Sequence, residues 1–434
     1  MPSPVSSLFS AVNSNCSPSV TLYQAPWVVP VSSPVIRDGV VAVAAGRILA
    51  VGSAASLRAQ YACARMESCQ GVLLPGLVNA HIHLELSAFT DIPRPAPGET
   101  FCDWIRFLLR VRQEGRISPD EQVCAARKML QQQHDSGVLL LLDIGNIQPA
   151  LRQSSSPLIL APAQVTFLLE LLAPTAKAEE QLLAQIALLA DEVAATPHAL
   201  YSTTAGIITI LKQRADRLGH ILSLHVAESA DEIELLRSGQ GCFRNFLAER
   251  GAWEDAFPRP GMDREINSRG AVEYLGYLGL LDANLLCVHC VQVSEKEVQM
   301  LAARGCKVCV CPGSNRFLGV GIAPLEMMLH HKLLPALGTD SIASNNGLDL
   351  WREMQILREE HPGVNPAQIL AMATLAGAAA LHREQDCGAL APGRTASFLN
   401  VDSLALQGAG SAEQLLDILT GSGCPGMIRW ITEA

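Results

Sequence analysis

The amino-acid sequence predicts an α/β fold: a (β/α)8 TIM-type barrel joined to a small composite β-sandwich that both chain ends build. Three observations predict it. Eight short apolar runs lie between residues 77 and 341 and alternate with stretches of helical character. Most of these runs are continuously apolar, as parallel strands buried on both faces require. The two chain ends share a different texture, in which β-like runs are broken at close intervals by Gly and Pro.

The elements follow in order. Residues 1–20 are rich in Ser, Pro and Asn and read as a loose tail. Residues 21–70 hold the runs VTLYQAPWVVPV and GVVAVAAGRILAVG, and 386–434 return to that texture with CGALAPGRTASFLNVD; both segments are assigned to the small domain. Residues 71–385 are assigned to the barrel. Its predicted strands are LVNAHIHL (77–84), GVLLLLDIGN (137–146), QVTFLLELL (164–172) and HALYSTT (198–204), then ILSLHVAES (221–229), NLLCVHC (284–290), CKVCVCP (306–312) and LLPALGTDS (333–341). Two of the intervening helices carry their own start signals. In SPDEQVCAARKMLQQQ, Ser118 is the N-cap, Pro119 sits in the first turn and Glu121 completes a capping box. SEKEVQMLAARG repeats the box with Ser294 and Glu297 and stops at Gly305.

Composition limits the function classes. Apolar residues make up 49% and charged residues 17% of the 434, enough to bury a large core. A net charge of −10, with no cluster of Lys and Arg, argues against nucleic acid or an anionic membrane as partner. No run of about 20 apolar residues lacks a charge or a turn signal. No basic residue precedes Arg37, whereas a secretory leader needs one before its apolar core. A cytoplasmic location is therefore expected, with the 13 cysteines as buried free thiols in a reducing compartment. Cys287–Cys290 and Cys306–Cys309 have the spacing of a zinc ribbon. Their flanks read as strands, where residues three apart face opposite sides and cannot close on one ion, so buried thiols are the preferred reading.

In a barrel of this type, chemistry gathers at the C-terminal ends of the strands. His81 and His83 end the first run, His225 lies in the fifth, His289 in the sixth and Asp340 in the eighth. Residues i and i+2 of a strand share a face, so His81 and His83 point the same way. One histidine in such a place is an ordinary core or surface residue; this many coordinating groups at predicted strand ends suggest a metal set. Imidazole nitrogen with carboxylate oxygen suits zinc or ferrous iron, and a catalytic ion lowers the pKa of its water toward neutrality. Glu228 follows His225 by three residues, just past the strand. The histidines at 134, 220, 330, 331, 361 and 382 fall in helical or turn contexts.

PGLVNAHIHLELS, LHVAES, VHC and LGTDS resemble the signature segments of the amidohydrolase superfamily, in its single-metal deaminase branch. All occur in the family's order, and the resemblance spans 71–385. It implies His81, His83, His225 and Asp340 as ligands of one divalent ion, zinc first, with ferrous iron or manganese as alternatives. It also implies Glu228 as the proton shuttle to a ring nitrogen and His289 as the holder of the attacking water or developing oxyanion. Asp340 would take the water's proton. HALYSTT contains no Lys, whereas the two-metal branch bridges its ions with a modified lysine on the fourth strand.

Within that branch, HLELS, TFCDWIRFLLRVR, FLLELLAP, CPGSNRFLGVGIAP and LGTDSIASNNGLDLWREM are most similar to the aminodeoxyfutalosine deaminases of the alternative menaquinone pathway. That resemblance implies a small-molecule substrate, an adenine nucleoside coupled to a benzoate, and release of ammonia. A carboxylate asks for a guanidinium, and Arg106, Arg110, Arg112 and Arg316 are candidates. Trp104 lies in the segment that caps the pocket. His198, at the start of a predicted strand, resembles a pocket-lining position. Ser314 and Asn315 would meet the ribose or base edge, and Glu85 and Glu170 would touch substrate or orient the ligand histidines. Ser397 stands where relatives commonly carry Asp. Dimers are common in similar proteins, so a homodimer is a further expectation. The alternatives are a methylthioadenosine or S-adenosylhomocysteine, guanine or pterin deaminase, a triazine-type chlorohydrolase and, outside catalysis, a metal-free barrel scaffold.

Overall fold

The computed structural model describes residues 20–147, 164–253 and 270–432. Residues 1–19 of the predicted tail lie outside them. Five strands come first: β1 (Thr21–Val28), β2 (Ile36–Ala44), β3 (Arg47–Ser53), β4 (Arg65–Ser68) and β5 (Val72–Pro75). Eight more follow: β6 (Leu77–Ile82), β7 (Val138–Gly145), β8 (Gln164–Leu171), β9 (Ala195–Pro197), β10 (Leu222–Val226), β11 (Leu285–His289), β12 (Lys307–Val310) and β13 (Ala336–Leu337). The chain ends with β14 (Ser397–Asp402) and β15 (Met427–Thr432).

The eight middle strands pair in parallel as β6-β7-β8-β9 and β10-β11-β12-β13. Parallel bridges Ile82–Asp340 and Ala199–His225 join the free edges of these two sheets, so the ring closes. Backbone amides seal both seams: His225 N–H donates to His198 O and Thr339 N–H to His81 O, each at 3.0 Å. The seams therefore hold His81, Asp340, His198 and His225. Every residue of β6, β7, β10 and β11 is buried, which explains why these strands read as unbroken apolar runs. Both predicted capping boxes form, at Ser118–Glu121 and Ser294–Glu297, and Gly305 ends its helix in the left-handed conformation.

The fourth strand departs from expectation. It is Ala195–Pro197, not 198–204. Pro197 has no N–H to extend the ladder, and the apolar residues that suggested a strand, Leu200 and Tyr201, pack in turns instead. His198 thus follows the strand's C-terminal end rather than opening it.

Both chain ends share one seven-stranded sheet, ordered β15-β14-β5-β1-β2-β3 with β4 beside β1. The antiparallel pairing of β14 with β5 sets Leu399 opposite Leu74 and ties the end of the chain to the segment that enters β6. Cys287, Cys290, Cys306, Cys309, Cys311 and Cys387 are buried free thiols, as expected. Against that expectation, Cys63, Cys124 and Cys424 are exposed and Cys69 is half-buried, and Cys102 and Cys242 form a disulfide with Cα atoms 6.2 Å apart. The partners are 140 residues apart, so nothing local in the sequence pairs them. Among the described residues, no helix is long and apolar enough to cross a membrane.

Candidate active site

Strand β6 carries His81 and runs directly into His83, whose rings lie 4.7 Å apart. β10 carries His225, β11 ends at His289, and Asp340 lies just past β13. His81 Nε2 is 3.2 Å from His225 Nε2, and Asp340 Oδ1 is 3.5 Å from the Nε2 atoms of both His81 and His83. Donors held about 2.0–2.1 Å from a tetrahedral ion lie roughly 3.3 Å apart. The observed separations fit such an ion, whereas packed core imidazoles have no reason to turn their nitrogens together. Among the described residues, no cysteine joins a cluster able to hold a metal.

The protonation pattern suits coordination. His83 Nδ1–H donates to Ile144 O at 2.8 Å, which makes Nε2 the ring atom turned to Asp340. Burial lowers the His81 pKa to about 4 and holds His225 well below the ordinary imidazole value, so both rings are neutral at neutral pH. At His83 burial acts in the same sense, but the carboxylates of Glu170, Asp340, Glu85 and Asp143 outweigh it. Burial also opposes the charge of Asp340, yet its hydrogen bond to His81 and the nearby imidazoles of His83 and His289 keep it well below the usual carboxylate range. Asp340 Oδ2 accepts from Ser314 Oγ at 2.6 Å and Ser344 Oγ at 2.7 Å. Asp340 and His289 have φ of +58° and +70°, a region sparsely used by residues other than Gly and found at functional sites.

Glu228 and His289 form a second group, with Glu228 Oε1 3.6 Å from His289 Nε2. His289 Nδ1–H donates to Asn315 Oδ1 at 3.0 Å, so the other ring nitrogen is the one turned to Glu228. Burial, and then the negative charge of Asp340, push the Glu228 carboxyl well above its ordinary range, which favours its protonated form. Behind it, the N–H groups of Ala227 and Glu228 donate to Glu232 at 3.0 and 2.8 Å. Ala227 has φ +53°, so this carboxylate clamps a bent loop.

A cavity of about 380 Å³ adjoins these groups and is lined by His83, His225, Glu228 and Asp340. Glu85, Glu170, His198 and Tyr201 also line it. Two helices wall it. Phe101–Gln113 contributes Trp104, Leu108 and Arg112; Cys242–Glu249 contributes Phe246 and Leu247, and Arg250 follows. Gly145, at the end of β7 with φ +152°, leaves room that a side chain would take from Glu85, whose Oε2 lies 2.9 Å from where a Cβ would sit. Glu85 instead accepts from Asn146 N–H at 2.7 Å and sits 3.4 Å from Arg112 Nη2. His198 pairs with Ser202 Oγ at 2.9 Å.

Five sequence-predicted substrate contacts lie elsewhere. Ser314 and Asn315 do not line the cavity; their side chains are spent on Asp340 and His289. Arg106 forms a two-pronged ion pair with Glu249 at 2.9 and 3.1 Å, and Arg316 pairs with Glu359 and Glu360. Arg110 lies over the Phe107 ring. Of the four candidate cations only Arg112 lines the cavity. Sequence reasoning missed Arg250, Tyr201, Phe246, Ser344 and Glu232. The polar run SIASNN after Asp340 held a signal for Ser344; Arg250 and Phe246 follow an ordinary helical pattern and held none.

The amidohydrolase family model matches residues 72–429. The chain belongs to the amidohydrolase family. It is 30% identical over 392 residues to the 5-methylthioadenosine/S-adenosylhomocysteine deaminase of Moorella thermoacetica, covering 86% of this chain and 84% of the relative. The enzyme of that name from Nitratidesulfovibrio vulgaris strain Hildenborough is 30% identical over 408 residues, covering 89% and 84%. Among solved structures, a zinc-bound adenosine deaminase from Xanthomonas campestris matches with TM-score 0.73 and 25% identity over 95% of this chain and 91% of that one. Helicobacter pylori aminofutalosine deaminase in complex with methylthio-coformycin shares the fold, with TM-score 0.75 and 23% identity over 92% and 96%.

Proposed function

We propose that this family member is a metal-dependent hydrolytic deaminase of an adenine-containing small molecule. The observation that carries the reading is the convergence of three imidazoles and Asp340 beside the buried carboxyl of Glu228, at one cavity. His81, His83, His225 and Asp340 would hold the ion, and zinc is the first choice for such a nitrogen and oxygen set. When bound, the ion makes water acidic enough to act as a nucleophile at neutral pH.

The chain's own groups supply the rest. Asp340 is ionised and the two serines hold its Oδ2, so Oδ1, turned toward His81 and His83, is the oxygen that would accept the water's proton. Glu228 gives its proton to the ring nitrogen beside the amidine carbon, and burial keeps that proton on the carboxyl until a base faces it. His289, pinned by Asn315, accepts a hydrogen bond from the water through Nε2. Asp340 then passes the water's proton to the amino group, which leaves as ammonia, and Glu228, left ionised, takes the adduct's hydroxyl proton as the carbonyl forms and so regains its resting state. Phe101, Trp104, Leu108 and Phe246 cover the base and keep bulk water out.

Arg112 and Arg250 suit a carboxylate on the far side of the nucleoside. Our first candidate is 6-amino-6-deoxyfutalosine, of menaquinone biosynthesis. S-adenosylhomocysteine is the second; it also carries a carboxylate, and the similar deaminases named above favour it. The test is ammonia release by zinc-loaded protein from both compounds, with methylthioadenosine, adenosine and guanine alongside. Turnover of at least one carboxylate-bearing nucleoside, with KM raised about ten-fold or more by Arg112→Met or Arg250→Met, supports the reading. Zinc-loaded protein that releases ammonia from no adenine nucleoside overturns it, and chloride release from a triazine would redirect it.

A further inference from the structure

The two helices that wall the cavity belong to separate excursions from the barrel. Phe101–Gln113 stands between β6 and the helix Pro119–Asp135, and Cys242–Glu249 follows the helix Ala230–Ser238 after β10. The Cys102–Cys242 disulfide joins their first turns. Further along, Arg106 binds Glu249 and lies over the Phe246 ring at 5.6 Å. Packing also connects the same ends, with Phe101 and Phe243 rings 6.0 Å apart and Tyr201 stacked on Phe243 at 4.1 Å. Each helix follows a glycine-containing loop: Gly98 has φ +91° before the first, and Gly239 and Gly241 have φ of +66° and +91° before the second. Such loops let a helix shift as a body, so the covalent tie removes a freedom that the loops would otherwise allow.

We propose that the Cys102–Cys242 cross-link is a specificity-determining element: it fixes how far the two wall helices part, and so restricts the length of the nucleoside's 5′ substituent that the cavity accepts. The inference rests on the adenine-nucleoside reading above and deepens it. Cleavage is a thiol–disulfide exchange. A dithiol's thiolate attacks the half-buried Cys242 sulfur and releases the Cys102 thiolate. The dithiol's second thiol then closes on the mixed disulfide. Two electrons and two protons pass to the protein, which ends with two thiols, while the dithiol becomes a cyclic disulfide. Re-formation needs a small disulfide oxidant such as oxidised glutathione. Phe101, Trp104, Phe246 and Leu247 move with their helices, whereas the metal-site residues sit on barrel strands and their end loops. The cross-link therefore acts on binding of the extension and not on the chemical step.

The experiment compares the zinc-loaded full chain with the disulfide intact, the same protein reduced by a phosphine, and Cys102→Ala/Cys242→Ala. Peptide mapping without reductant first establishes the bond. Kinetics are then read with adenosine, which has no extension, and S-adenosylhomocysteine, which has a long one. The expected result is that opening the cross-link lowers KM for S-adenosylhomocysteine about five-fold or more, with kcat held within two-fold and adenosine kinetics unchanged. Should the double variant fold poorly, reversible reduction of the unaltered chain gives the same comparison. If no form deaminates either compound, the activity reading fails on its own, and calorimetric affinities for the two nucleosides decide the cross-link: the ratio must change on reduction. Two free thiols at positions 102 and 242 in protein oxidised with glutathione disulfide, or an unchanged ratio between the two nucleosides, would overturn the proposal.

Discussion

Glu353 offers a test of the fold's electrostatics away from the metal site. Its buried carboxylate accepts from Gly313 N–H at 2.7 Å and from Asn345 Nδ2 at 2.8 Å. It thereby anchors the start of the helix Pro312–Leu318, which carries Ser314 and Asn315. Burial, then the negative charges of Asp349 and Glu360, push its pKa from 4.5 to about 8 against the pull of those two hydrogen bonds. The folded chain holds this proton more tightly than the unfolded one. The group's contribution to stability is therefore complete below pH 4.5 and is lost as pH rises toward 8. At roughly 1.4 kcal/mol per pH unit, the loss has a ceiling of about 5 kcal/mol. Glu353→Gln does not titrate, but its amide can satisfy only one donor without turning Asn345 away from Thr339 O, a constant cost of about 1–3 kcal/mol. Melting temperatures of zinc-loaded wild type and variant, measured from pH 5 to 8.5, check this. The variant should melt lower at the acid end, with the gap closing and reversing between about pH 5 and 7, where the wild type has lost about 1–3 kcal/mol. At about 1 °C per kcal/mol for a chain this long, the swing is a few degrees. A gap that is constant, or that widens with pH, would refute the assignment of Glu353 as a buried carboxyl ionised late.

Other outcomes follow from the same geometry. His83→Ala or Asp340→Asn should strip zinc from the purified protein by elemental analysis, while Cys287→Ser and Cys306→Ser should leave its content unchanged. Glu228→Gln should retain zinc and lower kcat about 10²–10⁴-fold with KM little changed, as loss of a proton donor requires. Asn315→Ala should cost about 10–100-fold in kcat through loss of the His289 orientation, at unaltered metal content. Glu232→Gln breaks one of the two bonds that hold the Ala227–Glu228 loop, and kcat should fall about ten-fold while the melting temperature stays within a few degrees of wild type.

The barrel was legible because its strands are buried on both faces and its helices carry their own caps. Both signals are local: each apolar run, and each Ser with a Glu three residues on, can be read without knowing what packs against it. The fourth strand was misread because three residues, Ala195–Pro197, are too few for a pattern, while Leu200 and Tyr201 are apolar for the sake of the surrounding core and cavity. The same limit governs the site. His81, His83, His225 and Asp340 sit at strand ends, where barrel architecture alone predicts convergence. Arg106, Arg112 and Arg316 could not be told apart, because their roles depend on partners far away in sequence: Glu249 for the first, Glu85 and the cavity for the second, Glu359 and Glu360 for the third. The disulfide belongs to the same class of fact.

Two carboxylates in this cavity are set to opposite tasks by their surroundings. Asp340 and Glu228 are both buried, so desolvation raises both. What separates them is what faces each: the His81 hydrogen bond and the imidazoles of His83 and His289 lower Asp340, whereas the charge of Asp340 raises Glu228 further. Asp340 has two serine hydroxyls on one oxygen and two imidazoles near the other. Glu228 has His289 at 3.6 Å, and its neighbour Glu232 is already committed to backbone N–H groups. The surroundings thus push the two carboxyls apart, Asp340 toward the ionised form and Glu228 toward the protonated one, which is the arrangement hydrolytic deamination needs: one group to take a proton from water, another to give one to the ring. The serines are accordingly part of the acid–base design. Their removal should raise the Asp340 carboxyl and so narrow the difference between the two.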